Sequence, residues 1–102
     1  MKIPELYQTE GIDFPDKIIY EKWEIPDINY YWLIAELDPE KELAFGYANL
    51  NNDEMAEWGY VNMKELREVG AEKTENWKPR TYTECISEIE IMKLDKLIEK
   101  ER

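Results

Sequence analysis

The chain has 102 residues, no histidine, one cysteine, and 24 acidic against 13 basic side chains, a formal net charge of −11. Lacking histidine, it lacks the side chain most used for proton transfer near neutral pH, and most transition-metal ligand sets with it. The densest basic stretch, Lys78 to Arg80, holds two positive charges around Pro79, so neither direct nucleic-acid contact nor a membrane surface is expected.

The opening, Met1-Lys2-Ile3-Pro4-Glu5, has no apolar core or cleavage site of a signal peptide. Residues 17–25 (KIIYEKWEI) are rich in β-branched and aromatic types and predict a strand, closed by the turn chemistry of Ile25-Pro26-Asp27. Residues 29–37 (NYYWLIAEL) form the most apolar run. Strict alternation puts Tyr31, Leu33, Ala35 and Leu37 on one face and Tyr30, Trp32, Ile34 and Glu36 on the other. Both faces are largely apolar, which predicts a central strand covered on both sides.

Asp38-Pro39 opens a type I turn, and residues 42–49 return as the next strand. Gly46 inside that strand signals a bulge or the close approach of another group. The polar stretch Asn49 to Glu54 is a loop, and residues 56–61 form a fourth strand. Such short connections dictate an antiparallel meander, because parallel strands need long crossovers. Asn62-x-x-Glu65 is a capping box for a short helix through about Val69, stopped by Gly70. Glu75 to Lys78 is read as an edge strand ending at Pro79. A second box, Thr81-x-x-Glu84, starts a longer helix whose acids (Glu84, Glu88, Glu90) precede its bases (Lys93, Lys96, Lys100, Arg102), matching the helix dipole. Ile86, Leu94, Leu97 and Ile98 share one side of it, and Cys85, Ile89 and Met92 lie opposite. Either that helix carries a self-association surface, making the protein a monomer or a homodimer, or its end is buried or frayed.

The expected fold is therefore α+β: one domain over residues 1–102, with a small antiparallel four- to five-stranded meander sheet, a short helix and a longer C-terminal helix. A 43% hydrophobic content with four Trp and seven Tyr argues against disorder. Cys85 alone cannot form an internal disulfide, and no run approaches the length of a membrane span. A cytoplasmic location is the expectation.

The order of segments resembles an uncharacterised family, the one catalogued as domain of unknown function 2958. The resemblance rests on Pro4-Glu5-Leu6-Tyr7-Gln8-Thr9-Glu10, on Lys22-Trp23 with Pro26, on the aromatic block Tyr30 to Glu36, and on Phe45-Gly46-Tyr47. It continues through Gly59-Tyr60 with Asn62 to Leu66, and ends with Trp77-Lys78-Pro79-Arg80. The middle strand departs from the family's Trp-x-Trp spacing, and the tail is longer. The resemblance implies a small soluble protein of the kind often carried on prokaryotic plasmids and other mobile elements; it implies no activity.

Three sets of residues could carry chemistry. Glu36 among aromatic rings could act as a general acid or base, or be a strand-end carboxylate held by tyrosine or backbone. The oxygens of Asn49, Asn51, Asn52, Asp53 and Glu54 match no calcium-loop spacing, and no metal or cofactor is expected. The aromatic residues fill the core, except that Trp58 and Trp77, near loop ends, are candidate exposed anchors. Cys85 lies beside Glu84 with no histidine to activate it, so nucleophilic catalysis is not expected. Two functions follow. One is a non-enzymatic module that binds a protein partner, a basic one if the acidity is used, in its sharpest form by presenting carboxylates where nucleic-acid phosphates would lie. The other is a small enzyme or ligand-binding domain using Glu36, Tyr31 and Tyr47 around a cleft beside the sheet.

Overall fold

In the computed structural model, which describes residues 2–100, the meander forms as its turns dictate. Strands β2 (Glu21–Ile25), β3 (Tyr30–Asp38), β4 (Leu43–Leu50) and β5 (Glu57–Asn62) pair with their neighbours in turn. A short strand, β6 (Glu72–Lys73), adds to the free edge of β2, giving an antiparallel order β5-β4-β3-β2-β6. The fold is α+β, with helices α1 (Met63–Glu68) and α2 (Tyr82–Lys100). No helix among the described residues is long and apolar enough to cross a membrane.

The apolar run becomes the middle strand. Trp32, Leu33, Ile34, Ala35 and Glu36 are all buried, and the sheet has a core on each side. On one side Trp32, Ile34, Ala44 and Val61 meet Met63 and Leu66 of α1. On the other, Leu33 and Ala35 pack with Ile19 and with Cys85 of α2, flanked by Tyr47, Trp58, Trp77 and Tyr82. Each large apolar side chain so covered contributes about 1.5–3 kcal/mol.

Both helices are capped as expected, α1 by the Asn62 side chain alone and α2 by a reciprocal box. The Asn62 side chain accepts from the Glu65 backbone N–H at 3.1 Å, and Gly70, at φ +89°, turns the chain out of α1. At α2, Thr81 Oγ1 accepts from the Glu84 N–H at 3.2 Å, and the Glu84 carboxylate accepts from the Thr81 N–H at 3.3 Å.

Three details differ from the sequence reading. The strand over 17–25 is broken at Tyr20, because β1 (Ile18–Ile19) peels away to pair with β7 (Arg80–Thr81) in a separate ribbon. The edge strand lies at residues 72–73, not 75–78; Asn76 takes a left-handed φ of 58°, and the Trp77 indole turns inward to donate to the Ile19 carbonyl at 3.0 Å. Finally, a bulge between Ile34 and Glu36 leaves Ala35 unpaired, so Ile34 faces Gly46 and Glu36 faces Phe45. The extra residue moves Glu36 off the face of Trp32 and Ile34 and onto that of Tyr47 and Trp58. Gly46 permits the crowding beside this bulge: a Cβ there would lie 2.1 Å from the Leu33 carbonyl oxygen.

Candidate functional site

The displaced Glu36 becomes the anchor of the chain's N-terminal segment. Its carboxylate, in a side chain only 3% exposed, accepts from the backbone N–H groups of Tyr7 (2.8 Å) and Thr9 (3.0 Å) and from the Thr9 hydroxyl. The Lys17 ammonium, equally buried, donates to that hydroxyl at 2.7 Å and to the Thr9 carbonyl. Thr9 thus links a buried cation to a buried anion, and each charge has polar partners, as burial requires. A further bond, from the Leu37 N–H to the Pro4 carbonyl at 2.9 Å, lays the segment along the end of β3.

Above this linkage is an open cleft of about 430 Å³, with Glu36 and Lys17 in its floor and Tyr7, Phe14, Phe45 and Tyr60 as its walls. Tyr7 (58%), Tyr60 (56%) and Phe14 (48%) are far more exposed than rings of a small core. Tyr7 is held at φ 72°, a strained value for a tyrosine, and meets Tyr60 edge to face at 6.3 Å. Phe14 lies flat on Trp58, with centroids 4.9 Å apart and planes 10° apart. Lys17 sits 5.9 Å from the centroids of both Phe14 and Phe45, the range of a cation–π contact. Glu10 and Asp13 line the mouth. Because Lys17 and Glu36 offset each other in the floor, the mouth is net negative.

Of the three residues named for a cleft beside the sheet, Tyr31 and Tyr47 are brought together, their ring centroids 6.3 Å apart, and Glu36 is not. Glu36 lines this cleft, but its carboxylate is committed to three donors from the N-terminal segment. Tyr31 lines a second cavity, about 430 Å³, at the other end of the sheet. Tyr47 lies between them, its ring 5.0 Å from that of Tyr82. The cleft imagined around Glu36, Tyr31 and Tyr47 is therefore not formed; side chains at opposite ends of one strand are too far apart to share a site. Trp58 and Trp77 are not exposed anchors either. Trp58 is the centre of a ring stack with Phe14, Phe45 and Tyr82, and Trp77 is capped by the Arg80 guanidinium at 3.8 Å. The anchors that are exposed, Tyr7, Phe14 and Tyr60, come from an irregular segment, a turn and a strand near the sheet edge. Sequence reading passed them over because no periodicity links them.

Burial governs titration along this side of the sheet. It raises the Tyr31 phenol to about 12 against the lowering effect of its hydrogen bond with Asn49, and it raises the Tyr82 phenol as well. Burial likewise pushes the Cys85 thiol up to about 11, the opposite of what a nucleophilic thiolate needs. The polar loop after β4 is tied inward by Asn49, which donates to Asp53 at 2.9 Å and accepts from the Asn52 N–H at 3.0 Å. Those oxygens are spent on holding the loop.

Fold and site together define a small α+β domain whose cleft is walled by aromatic rings over a sealed ionic floor. Residues 12–76 match the family described as a protein of unknown function (DUF2958), and the chain belongs to that family. The matched span contains Phe14, Lys17, Glu36, Phe45 and Tyr60, but neither Tyr7 and Thr9 nor α2. No curated protein and no solved structure matches the chain.

Proposed function

We propose that this protein is a non-enzymatic interaction module that receives a basic side chain of a protein partner in the cleft beside Glu36. The observation that carries the reading is the exposure of Tyr7, Phe14 and Tyr60 around one cavity whose mouth bears Glu10 and Asp13. Exposed rings next to carboxylates suit an arginine or lysine, which gains a cation–π contact and an ion pair together. Rings held rigidly by their own stacking lose little freedom on binding, which is why such residues dominate hot spots. The net charge of −11 adds long-range attraction for a basic partner and makes encounter sensitive to salt. Glu36 has a positioning role here: it fixes the backbone of Tyr7 and has no free oxygen geometry devoted to a substrate.

The test places a photo-crosslinking amino acid at Tyr60, and separately at exposed Val69 at the C-terminal end of α1, outside the cleft lining, in cells that make the protein. A partner trapped from position 60 alone, less efficiently as salt rises and not after Phe14→Ala, is the expected result. Equal trapping from both positions, or trapping from position 60 that ignores salt, overturns the reading.

A further inference from the structure

The far end of the same sheet face has the opposite character. Beyond Ile89 the residues of α2 are exposed, and a groove opens between the helix and the ends of β2, β3 and β4. Its apolar lining is Tyr30, Tyr31, Ile89, Met92 and Leu97. Its charged lining is Lys22, Lys93, Lys96 and Lys100, against Glu24 and Asp53. Glu24 pairs with Lys22 at 3.5 Å and Asp53 with Lys93 at 3.5 Å, so the groove's excess positive charge rests on Lys96 and Lys100. In a chain of net charge −11, this groove is a local excess of positive charge.

The lysines are also ordered. Lys93, Lys96 and Lys100 recur at i, i+3 and i+7, so they form a row along one side of the helix beside Ile89, Met92 and Leu97. The row and its apolar stripe span about 16 Å at 1.5 Å per residue. We propose that this groove docks an acidic amphipathic helix of a partner protein, its apolar positions on Met92, Leu97 and Tyr30 and its carboxylates on Lys96 and Lys100, four residues apart in the row. A single-headed anionic amphiphile would satisfy one lysine and leave the row unused, whereas a helix with acids at three- and four-residue spacing matches it. The groove involves α2, outside the residues shared with the family, and none of the rings of the Glu36 cleft. It stands whether or not that cleft binds a basic group.

Two short helical peptides provide the probe, both with leucines at i, i+3 and i+7, one carrying glutamates at the remaining positions and its twin carrying lysines. Titrated into isotopically labelled full chain, the glutamate peptide is expected to shift backbone amides of residues 89–100 together with Tyr30 and Tyr31. The double variant K96E/K100E, which changes only exposed side chains, is expected to weaken it at least about tenfold, because facing opposite charges become like charges. Equal binding of the lysine twin overturns the proposal. So do shifts confined to Tyr7, Phe14 and Tyr60, indifference to K96E/K100E, or no shift at millimolar peptide.

Discussion

The two ends of the sheet face beneath α2 are built differently. At the Glu36 end, the chain buries a carboxylate and an ammonium, bends β3 with an extra residue, and accepts a left-handed tyrosine. All of that is bound into the central strand. At the lysine end, the lysine row and its apolar stripe are exposed side chains on one side of α2, facing Lys22, Tyr30 and Tyr31 of the strands. The first end is therefore part of the stability of the domain, whereas the second is nearly independent of it. A surface made from the core is hard to alter without unfolding, and one displayed on a helix is free to change.

Breaking the first end should have the largest effect. Glu36→Ala leaves the Tyr7 and Thr9 N–H groups and the Thr9 hydroxyl without an acceptor and removes the anion to which Thr9 links the buried Lys17, and we expect a loss of about 3–5 kcal/mol in urea unfolding. Glu36→Gln keeps an acceptor oxygen and should fall between that variant and the parent. Next is Gly46→Ala: the new methyl meets backbone, which cannot swing away as a side chain could, at a cost of about 3 kcal/mol. A Gly59→Ala control, where a Cβ would have open space, should cost far less.

Alkali sharpens the comparison from the other side. Cys85 is raised from 9.0 to about 11 and Tyr31 from 10.0 to about 12, so the folded chain holds protons that the unfolded chain releases sooner. Their contribution is complete below about pH 9 and is lost as pH rises through the folded values. Urea midpoints should fall over that window, and Tyr31→Phe should flatten the upper part of the fall. Tyrosinate absorbance, followed in parallel, would show whether the drop coincides with phenol ionisation. The smallest effects belong to the lysine end: Leu94→Gln and K96E/K100E should each change stability by no more than about 0.5 kcal/mol, as expected of exposed positions. A loss comparable to that of Glu36→Ala would mean that this end of α2 is covered within the chain's own fold.

Much of the fold was legible because its signals were local. The Asp38-Pro39 turn, the Asn62 cap, the Thr81–Glu84 box and the two-sided apolar strand each constrain a few neighbouring residues, and each formed. The ribbon of β1 and β7 joins segments sixty residues apart, and no pattern within either announces it. The site was legible only in part. Glu36 was conspicuous as a carboxylate closing an aromatic strand, but a single unpaired residue reversed the face it occupies. Alternation cannot reveal a bulge that lies between Ile34 and Glu36, although Gly46 across the ladder was its trace. Tyr7 and Thr9 converge on Glu36 from a segment whose own sequence specifies neither helix nor strand, and Lys17 joins them from the first position of the run read as a strand over 17–25. Their proximity is a product of tertiary structure.

The attachment of residues 4–9 has a kinetic consequence. The amides of Tyr7 and Thr9 are shielded from water by a side-chain carboxylate, not by a ladder of strand or helix bonds. Releasing them means parting the segment from Glu36, from the Lys17 ammonium and from the Leu37 N–H, without opening any pair between the strands. This segment is thus a latch on the domain, able to lift and reseat while the strands beneath remain intact. Hydrogen exchange at those two amides would report the lifting, well ahead of exchange at the amides of β3.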